Sequence, residues 1–544
     1  MQKRKPERTQ ILIIGAGASG ATAAKVLTER GIRVTCLERG PWMKHEDFGG
    51  DELANVNRDY LTPDALVDPR VVVSPDSPQP SIQTFVPNPQ MVGGATTHWT
   101  GWALRMLESD FRLRSLHGEL EGTTLVDWPI AYQDLERYYG EVEHALGVSG
   151  RGGANRFESP RSREYPCAPL PATRYGKVFS DACERMGYNA FPTPTAMLST
   201  AHNGRRESVQ SAFVQMFGDP TGTKSTALST FIPDALATGK LDLRAQCYVR
   251  ELTVDSAGRV AGAIYEDADG DLVEQEADVV LLACGAIESA RLLLLSKSAA
   301  HPDGLANGSD QVGRNLTLHE YTAAIAAFPE EHDPIYGWAG GGYISTSTFE
   351  FYETDYDRGF LGGCHVAAGG VGIPLPINFT LPDRPAWGAE AKDWDRKYFN
   401  RSMALGLVIH DMPQATNRVE IDPTVTDAWG MPVARITHRP HANDLAQSEW
   451  IVDRCGEILD NAGAEKVWRL NPKKFSGNAH QHGTLRMGRD PQESVLNEMC
   501  RAHEVDNLYA VDSSSFPTAT GVNPTLTIMA NAWRIAEHLA DNGA

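Results

Sequence analysis

Residues 11–20 read I-L-I-I-G-A-G-A-S-G, and the fold is decided there. Four apolar residues run directly into Gly15, Gly17 and Gly20. Ala21 to Arg30 (A-T-A-A-K-V-L-T-E-R) is helix-forming, Ile32 to Leu37 (I-R-V-T-C-L) has strand character, and Glu38 follows. Strand, glycine turn, helix, strand and acid together predict a unit that binds an adenine dinucleotide. Gly15 allows the tight turn, Gly17 lets a pyrophosphate approach the backbone, and Gly20 lets helix and strand pack closely. The free N–H groups at the helix start, with Ser19 in the first turn, face the phosphates. Glu38 lies where an acid accepts ribose hydroxyls, and Arg39 beside it belongs to the same group of contacts. The motif alone does not separate FAD from NAD.

The chain has 544 residues, enough for more than one domain. Its net charge of −20, from 50 basic and 70 acidic residues, speaks against nucleic acid or an anionic membrane as partner. The first ten residues (M-Q-K-R-K-P-E-R-T-Q) are basic, without an apolar signal core or a twin-arginine pair, and a cytoplasmic protein is expected. The eight cysteines are scattered with no C-x-x-C pair, which suits free thiols in a reducing compartment. There is no H-E-x-x-H or EF-hand loop either, and no metal is expected.

Outward from the glycine turn, residues 40–90 form a long irregular excursion rich in Gly, Pro and Asp. It ends at Met91 to Trp102 (M-V-G-G-A-T-T-H-W-T-G-W). Gly93 and Gly94 permit close approach of a flat ligand, and His98, Trp99 and Thr100 are candidate flavin contacts. Leu135, Tyr138, Tyr139, Val142 and Leu146 make a core-packing helical stripe within 127–150. Residues 193–230 are polar and predict a surface loop or lid. Leu241 to Val254 alternates and predicts one strand, continued as a meander. Asp278 to Cys284 (D-V-V-L-L-A-C) predicts a central parallel strand, followed by Gly285 and a helix through Leu295. This second strand–glycine–helix unit makes the first domain discontinuous. Residues 330–470 predict an α+β domain with an antiparallel sheet that supplies the substrate pocket. The expected fold is α/β: a discontinuous Rossmann-like dinucleotide-binding domain (8–100, 235–330, 471–544), FAD-binding by the resemblance described next, and an α+β substrate domain built on an antiparallel sheet (101–234, 331–470).

Read together, the G-A-G-A-S-G turn, V-G-G-A-T-T-H-W-T, G-A-I-E-S-A-R-L-L-L-L at 285–295, V-G-R-N-L at 312–316, H-Q-H-G-T-L-R-M-G at 480–488 and the closing G-V-N-P-T-L-T resemble the glucose–methanol–choline (GMC) oxidoreductases. The resemblance is strongest to the branch of pyranose oxidases, bacterial glycoside 3-oxidases and sugar dehydrogenases. It implies FAD rather than NAD. His480 matches the family's active-site base and Asn523 its paired second residue. Gly93, Gly94 and His98 to Thr100 would lie along the flavin, with His98 a candidate for covalent attachment. Asp512 matches a contact to the ribityl or pyrophosphate region, and the Val249 amide a contact to adenine. Two departures stand out. Residues 202–230 lack the cysteine cluster of iron–sulfur relays, and V-G-R-N-L continues T-L-H-E-Y rather than D-H-P, which affects the surroundings of His319.

Oxidising an alcohol removes a proton from oxygen and a hydride from carbon. A neutral histidine suits the proton. His480 is the expected base. His482, two positions along, is the weaker candidate and reads better as a buried histidine bonded to backbone. Asn523 would orient the hydroxyl and stabilise the alkoxide. Pro524 fixes the backbone, and the helix from Thr525 points its N-terminus at the flavin. The expected substrate is a small sugar or glycoside, oxidised at carbon 2 or 3 with O2 or a quinone as acceptor. A non-sugar alcohol, such as an aryl one, and a non-catalytic flavin sensor are the alternatives. Tyr336, Trp338, Tyr343, Phe349, Phe351 and Tyr352 offer rings for stacking, though such residues more often serve packing.

Overall fold

The structure is a computed structural model that describes residues 5–49, 64–75, 77–83, 88–209, 218–336, 346–370, 383–470 and 479–542. The strand Thr9–Ile14 leads into the helix Ala18–Glu29 and returns as the strand Val34–Leu37, parallel to the first. These strands lie inside a seven-stranded sheet. Its order is Leu241–Arg244, Val34–Leu37, Thr9–Ile14, Leu272–Leu282, Val260–Glu266, Tyr248–Val254, with Leu508–Ala510 also on Leu272–Leu282. Ile11 to Ile14 and Val280 to Leu282 are buried, as expected of strands covered on both faces.

Two expectations for this region change. Leu241 to Val254 is not one strand. The chain breaks at Gln246, which takes a left-handed φ of 54°. Leu241–Arg244 pairs parallel with Val34–Leu37, while Tyr248–Val254 begins the antiparallel meander. Conversely, the meander strand and the central strand are one element, Leu272–Leu282. Its first half runs antiparallel to Val260–Glu266, and from Ala277 it runs parallel to Thr9–Ile14.

A second, six-stranded sheet is antiparallel throughout its described pairings, in the order Lys466–Leu470, Glu320–Ala327, Ser402–Ile409, Val366–Gly370, Thr346–Thr348, Ala190–Pro192. The strand Glu320–Ala327 of this sheet lies partly inside the range expected for the cofactor domain. The helices Arg174–Arg185 and Ala442–Asn461 share its apolar core through Phe179, Ile451 and Ile458. A third sheet of four strands joins the hairpin Arg418–Thr426/Pro432–Thr437 to Arg70–Val73 and Ser81–Gln83, so the irregular excursion contains two strands. Buried ion pairs fasten it to the helix Ala286–Leu295: Arg70 to Glu288 at 2.7 Å and Arg291 to Asp427 at 2.8 Å.

Residues 218–230 are not a surface loop. Lys224 and Ser225 are fully buried. The segment meets its own polar demand: the Asp219 carboxylate accepts the N–H groups of Thr221, Thr223 and Lys224. All eight cysteines are free, and all but Cys284 are buried. Among the described residues no helix is long and apolar enough to cross a membrane.

Candidate active site

The three glycines of the turn do separate work. Gly15 takes φ 101°, and a Cβ there would lie 2.5 Å from the Ala283 carbonyl oxygen. At Gly20 a Cβ would lie 1.9 Å from Gly15 O and 3.1 Å from Ala283 Cβ, so this position sets the contact of helix with turn. Gly17 differs. It is the N-cap of the helix Ala18–Glu29, with extended φ/ψ and no side-chain cap. A Cβ there would meet only Gly94 Cα, at 3.8 Å. Gly94 backs directly onto it, since a Cβ on Gly94 would fall 2.8 Å from Gly17 Cα, and Gly93 N donates to Ala16 O at 2.9 Å. Ser19 is buried in the first helical turn. The two glycine motifs thus meet at an uncapped helix N-terminus, a cradle that suits the pyrophosphate of a dinucleotide.

Glu38 is buried, and its carboxylate accepts from Ala16 N at 2.9 Å and Gly40 N at 2.8 Å. Burial raises its pKa against those hydrogen bonds. Cys247 N donates to Glu38 O, and Gln246 N to Gly40 O, which brings Tyr248 and Val249 alongside the acid. Arg39 pairs with Asp68 at 3.0 Å and lies over the rings of Tyr248 and Trp429, 4.6 and 5.0 Å from their centroids. Asp512 holds the second strand–glycine–helix unit in place: its carboxylate accepts from Gly285 N at 3.0 Å, Ser289 Oγ at 2.6 Å and Ser514 N at 2.9 Å.

The loop after Gly94 is clamped from behind. Lys224 Nζ donates to the carbonyls of Thr97 and Trp99, at 3.0 and 3.2 Å, and Trp99 Nε1 donates to Ser225 O at 3.1 Å. Burial pushes the Lys224 ammonium down to about 7. His98, between those carbonyls, is lowered to about 3 by burial and then by Lys224. The Thr97 hydroxyl lies 2.8 Å from Gly94 O and 2.7 Å from His98 Nδ1, which holds the imidazole in place. Thr100 is half-buried beside them.

The candidate catalytic pair is assembled by two motifs far apart in sequence. V-G-R-N-L-T runs against H-Q-H-G-T: Gly313 N donates to Thr484 O at 2.8 Å, and Thr317 and His482 exchange backbone bonds at 3.1 and 2.9 Å. The pairing ends at His319, whose backbone is left-handed with φ 54°. The result is a histidine cluster. His480 Nε2 lies 3.2 Å from Asn523 Nδ2, and His480 Nδ1 lies 3.1 Å from His319 Nδ1. An amide nitrogen only donates, so His480 accepts at Nε2 and carries its proton on Nδ1, pointing it at His319. Burial, then the nearby His365, lowers His480 to about 3. His482 Nδ1 lies 3.4 Å from Thr317 Oγ1, and its ring stacks on Phe516 with centroids 5.7 Å apart. His319 is held well below the usual range by burial and its histidine neighbours. Among the described residues no three such side chains are arranged to hold a metal ion. Pro524 is the N-cap of the helix Thr525–Asp541, so that helix begins immediately after Asn523.

His319, His365, Trp102 and Lys224 are missing from the sequence-derived site. The T-L-H-E-Y departure was the one signal for His319. Among the aromatic candidates, Phe349, Phe351 and Tyr352 are buried packing residues, with Phe349 stacked on Tyr352 at 4.8 Å. Tyr336 is exposed, and Trp338 and Tyr343 lie outside the described residues.

The chain matches the family models described as GMC oxidoreductase over residues 9–321 and 413–532. It is 32% identical to a 2-methyl-1,2-propanediol dehydrogenase from Mycolicibacterium austroafricanum, over 98% of this chain and 95% of that protein. It is also 32% identical to a 6'''-hydroxyparomomycin C oxidase from Streptomyces lividus, over 98% and 92%. The fold superimposes on formate oxidase from Aspergillus oryzae RIB40 with a TM-score of 0.68, at 14% identity and 99% coverage of both chains. With its paired glycine cradle and C-terminal His–Asn pair, the chain belongs to the GMC oxidoreductases, FAD-dependent enzymes that oxidise the hydroxyl groups of alcohols and sugars.

Proposed function

We propose that this enzyme oxidises a secondary ring hydroxyl, at carbon 2 or 3, of a pyranose sugar or glycoside to the ketone. Dioxygen is the proposed acceptor, giving hydrogen peroxide. The observation that carries the reading is His480 Nε2, 3.2 Å from the Asn523 amide in a partly buried site. FAD, when bound, supplies the hydride acceptor. Gly17, Gly94 and the helix N-terminus would hold its pyrophosphate, Glu38 its ribose, and the loop from Gly93 to Thr100 its ring system. The substrate hydroxyl displaces the Asn523 N–H from His480 Nε2, which then takes the hydroxyl proton. The Asn523 amide has a further N–H for the oxygen as negative charge grows there. The His480 Nδ1 proton, directed at His319, lets the charge that forms on the imidazole be shared with a second ring. A site lined by imidazoles and an amide suits a hydroxyl-rich ligand, and relatives named as a gluconate 2-dehydrogenase flavoprotein and a fructose dehydrogenase large subunit support the class. The buried thiols favour a reducing compartment, and we place the reaction in the cytoplasm.

A second reading keeps the chemistry and replaces dioxygen with a quinone. The relative named as a dehydrogenase favours it. One experiment addresses both: mix the yellow protein anaerobically with sugars, glycosides and simple alcohols, record bleaching, then admit air and assay peroxide. Bleaching without peroxide selects the second reading. In His480→Ala the flavin stays bound and its reduction slows about 10²–10⁴-fold, the usual contribution of a positioned base. Reduction at the normal rate would remove His480 from the reaction.

A further inference from the structure

Buried polar atoms with no hydrogen-bond partner among the described residues gather around the His480–Asn523 pair: His482 Nε2 and, on the side of Asn523, Trp102 Nε1, His365 Nε2 and Asn523 Oδ1. The last three are neighbours. The rings of Trp102 and His365 meet edge to face with centroids 5.4 Å apart. His365 Nδ1 lies 2.9 Å from the carbonyl of Gly521, two residues before Asn523. Both rings sit on rigid supports. His365 immediately precedes the strand Val366–Gly370, and Trp102 packs on Ala367 of that strand and bridges to Thr195. Trp102 is 2% exposed and His365 fully buried. Buried polar atoms in native proteins are almost always paired, so three unpaired ones at one place point to a ligand that completes them.

The chemistry of that ligand follows from the atoms. A carbonyl only accepts, so His365 donates through Nδ1 and presents a lone pair at Nε2. The indole N–H of Trp102 only donates. A hydroxyl both accepts and donates at one oxygen, and matches this donor–acceptor pair. An ammonium has no lone pair for Trp102, and a carboxylate has no proton for His365. We propose that Trp102 and His365 form a subsite for a second hydroxyl of the substrate, and that it selects polyols over mono-alcohols at the His480–Asn523 pair. The inference rests on the alcohol-oxidising reading above and names its substrate class.

The test compares trans-1,2-cyclohexanediol with cyclohexanol, which differ only in the second hydroxyl. Wild-type enzyme, Trp102→Phe and His365→Leu are assayed as FAD-loaded proteins with normal flavin spectra. The ratio of kcat/KM for diol over mono-alcohol falls about 10-fold or more in each variant, mostly through KM for the diol, as expected when a site built to hydrogen-bond a hydroxyl loses its partner. Binding is also read without turnover, from the perturbation of flavin absorbance as each alcohol is titrated in. The diol loses affinity in the variants by the same factor. An unchanged ratio and unchanged diol affinity would overturn the proposal, with buried water or the flavin itself then pairing these atoms. Equal losses on both alcohols would overturn it too, by showing a purely structural role. If neither alcohol reduces the wild-type flavin, the alcohol-oxidising reading fails on these substrates, while the titration still decides the subsite.

Discussion

Replacing Gly17 with alanine separates folding from cofactor binding. The backbone at Gly17 has φ −79° and ψ −156°, open to any residue, and the added Cβ meets only Gly94 Cα at 3.8 Å. Alanine is a poorer N-cap than glycine, by about 0.5–1 kcal/mol. It also restricts the unfolded chain, worth about 0.4–1 kcal/mol in the opposite direction. The apoprotein therefore keeps its stability to within about 0.5 kcal/mol. FAD binding does not survive so well. The methyl occupies the open side of the helix N-terminus, and losing one charge-assisted N–H contact costs about 1.5–3 kcal/mol, or roughly 10- to 150-fold in affinity. Apoprotein from riboflavin-starved cells gives both quantities: a thermal melt without cofactor, and an FAD titration read by flavin fluorescence. Gly20→Ala is the contrasting control, because its Cβ would sit 1.9 Å from Gly15 O and must break the turn. Wild-type FAD affinity in Gly17→Ala, or an apoprotein melt as low as that of Gly20→Ala, would refute the reasoning.

Other consequences can be checked in the same preparations. Burial holds His98, His480 and His482 at about 3 and His365 at about 4. The unfolded chain, at about 6.5, takes up these protons first as pH falls, so stability is lost from about pH 6.5 downward, at about 2 kcal/mol per histidine by pH 5. His410, raised with its Asp110 partner, works in the opposite sense. A melting temperature equal at pH 7.5 and pH 5 would contradict the four low values. The same burial keeps His480 neutral at working pH, so flavin reduction shows no acid limb near 6.5; a limb there would mean that substrate binding rewets the site. His98, held neutral by burial, is the candidate for covalent attachment. Acid precipitation should carry the yellow colour down with the polypeptide, and colour left in the supernatant would exclude a covalent link.

The nucleotide-binding unit was legible because its signals are local. An apolar strand, three spaced glycines and an acid dictate their own geometry, and Gly15, Gly17, Gly20 and Glu38 sit where the spacing implies. The His480–Asn523 pair was reachable only through the family resemblance, since nothing within either segment says that they lie 3.2 Å apart. What sequence missed is governed by tertiary satisfaction of polar groups. The stretch 218–230 reads as solvent-exposed because it is rich in Asp, Thr, Lys and Ser, yet Asp219 and Lys224 spend their charges on buried backbone. Leu272–Leu282 reads as two elements because half of it is alternating and half wholly apolar, and both patterns belong to one strand that changes neighbours. Trp102 and His365 carry no local pattern at all.

That partner-changing strand links distant episodes of synthesis. Leu508–Ala510 docks against its second half, and Asn523, just ahead of the helix beginning at Thr525, reaches His480 from the end of the chain. A ribosome-bound chain stopped short of Asn523 already owns the glycine turn but not the chemistry. The helix Thr525–Asp541 also buries Leu526, Met529 and Ile535 in the core that holds the helix Ala18–Glu29, so a premature stop in the last twenty-odd codons strips that core and should leave neither a coloured protein nor one active on alcohols.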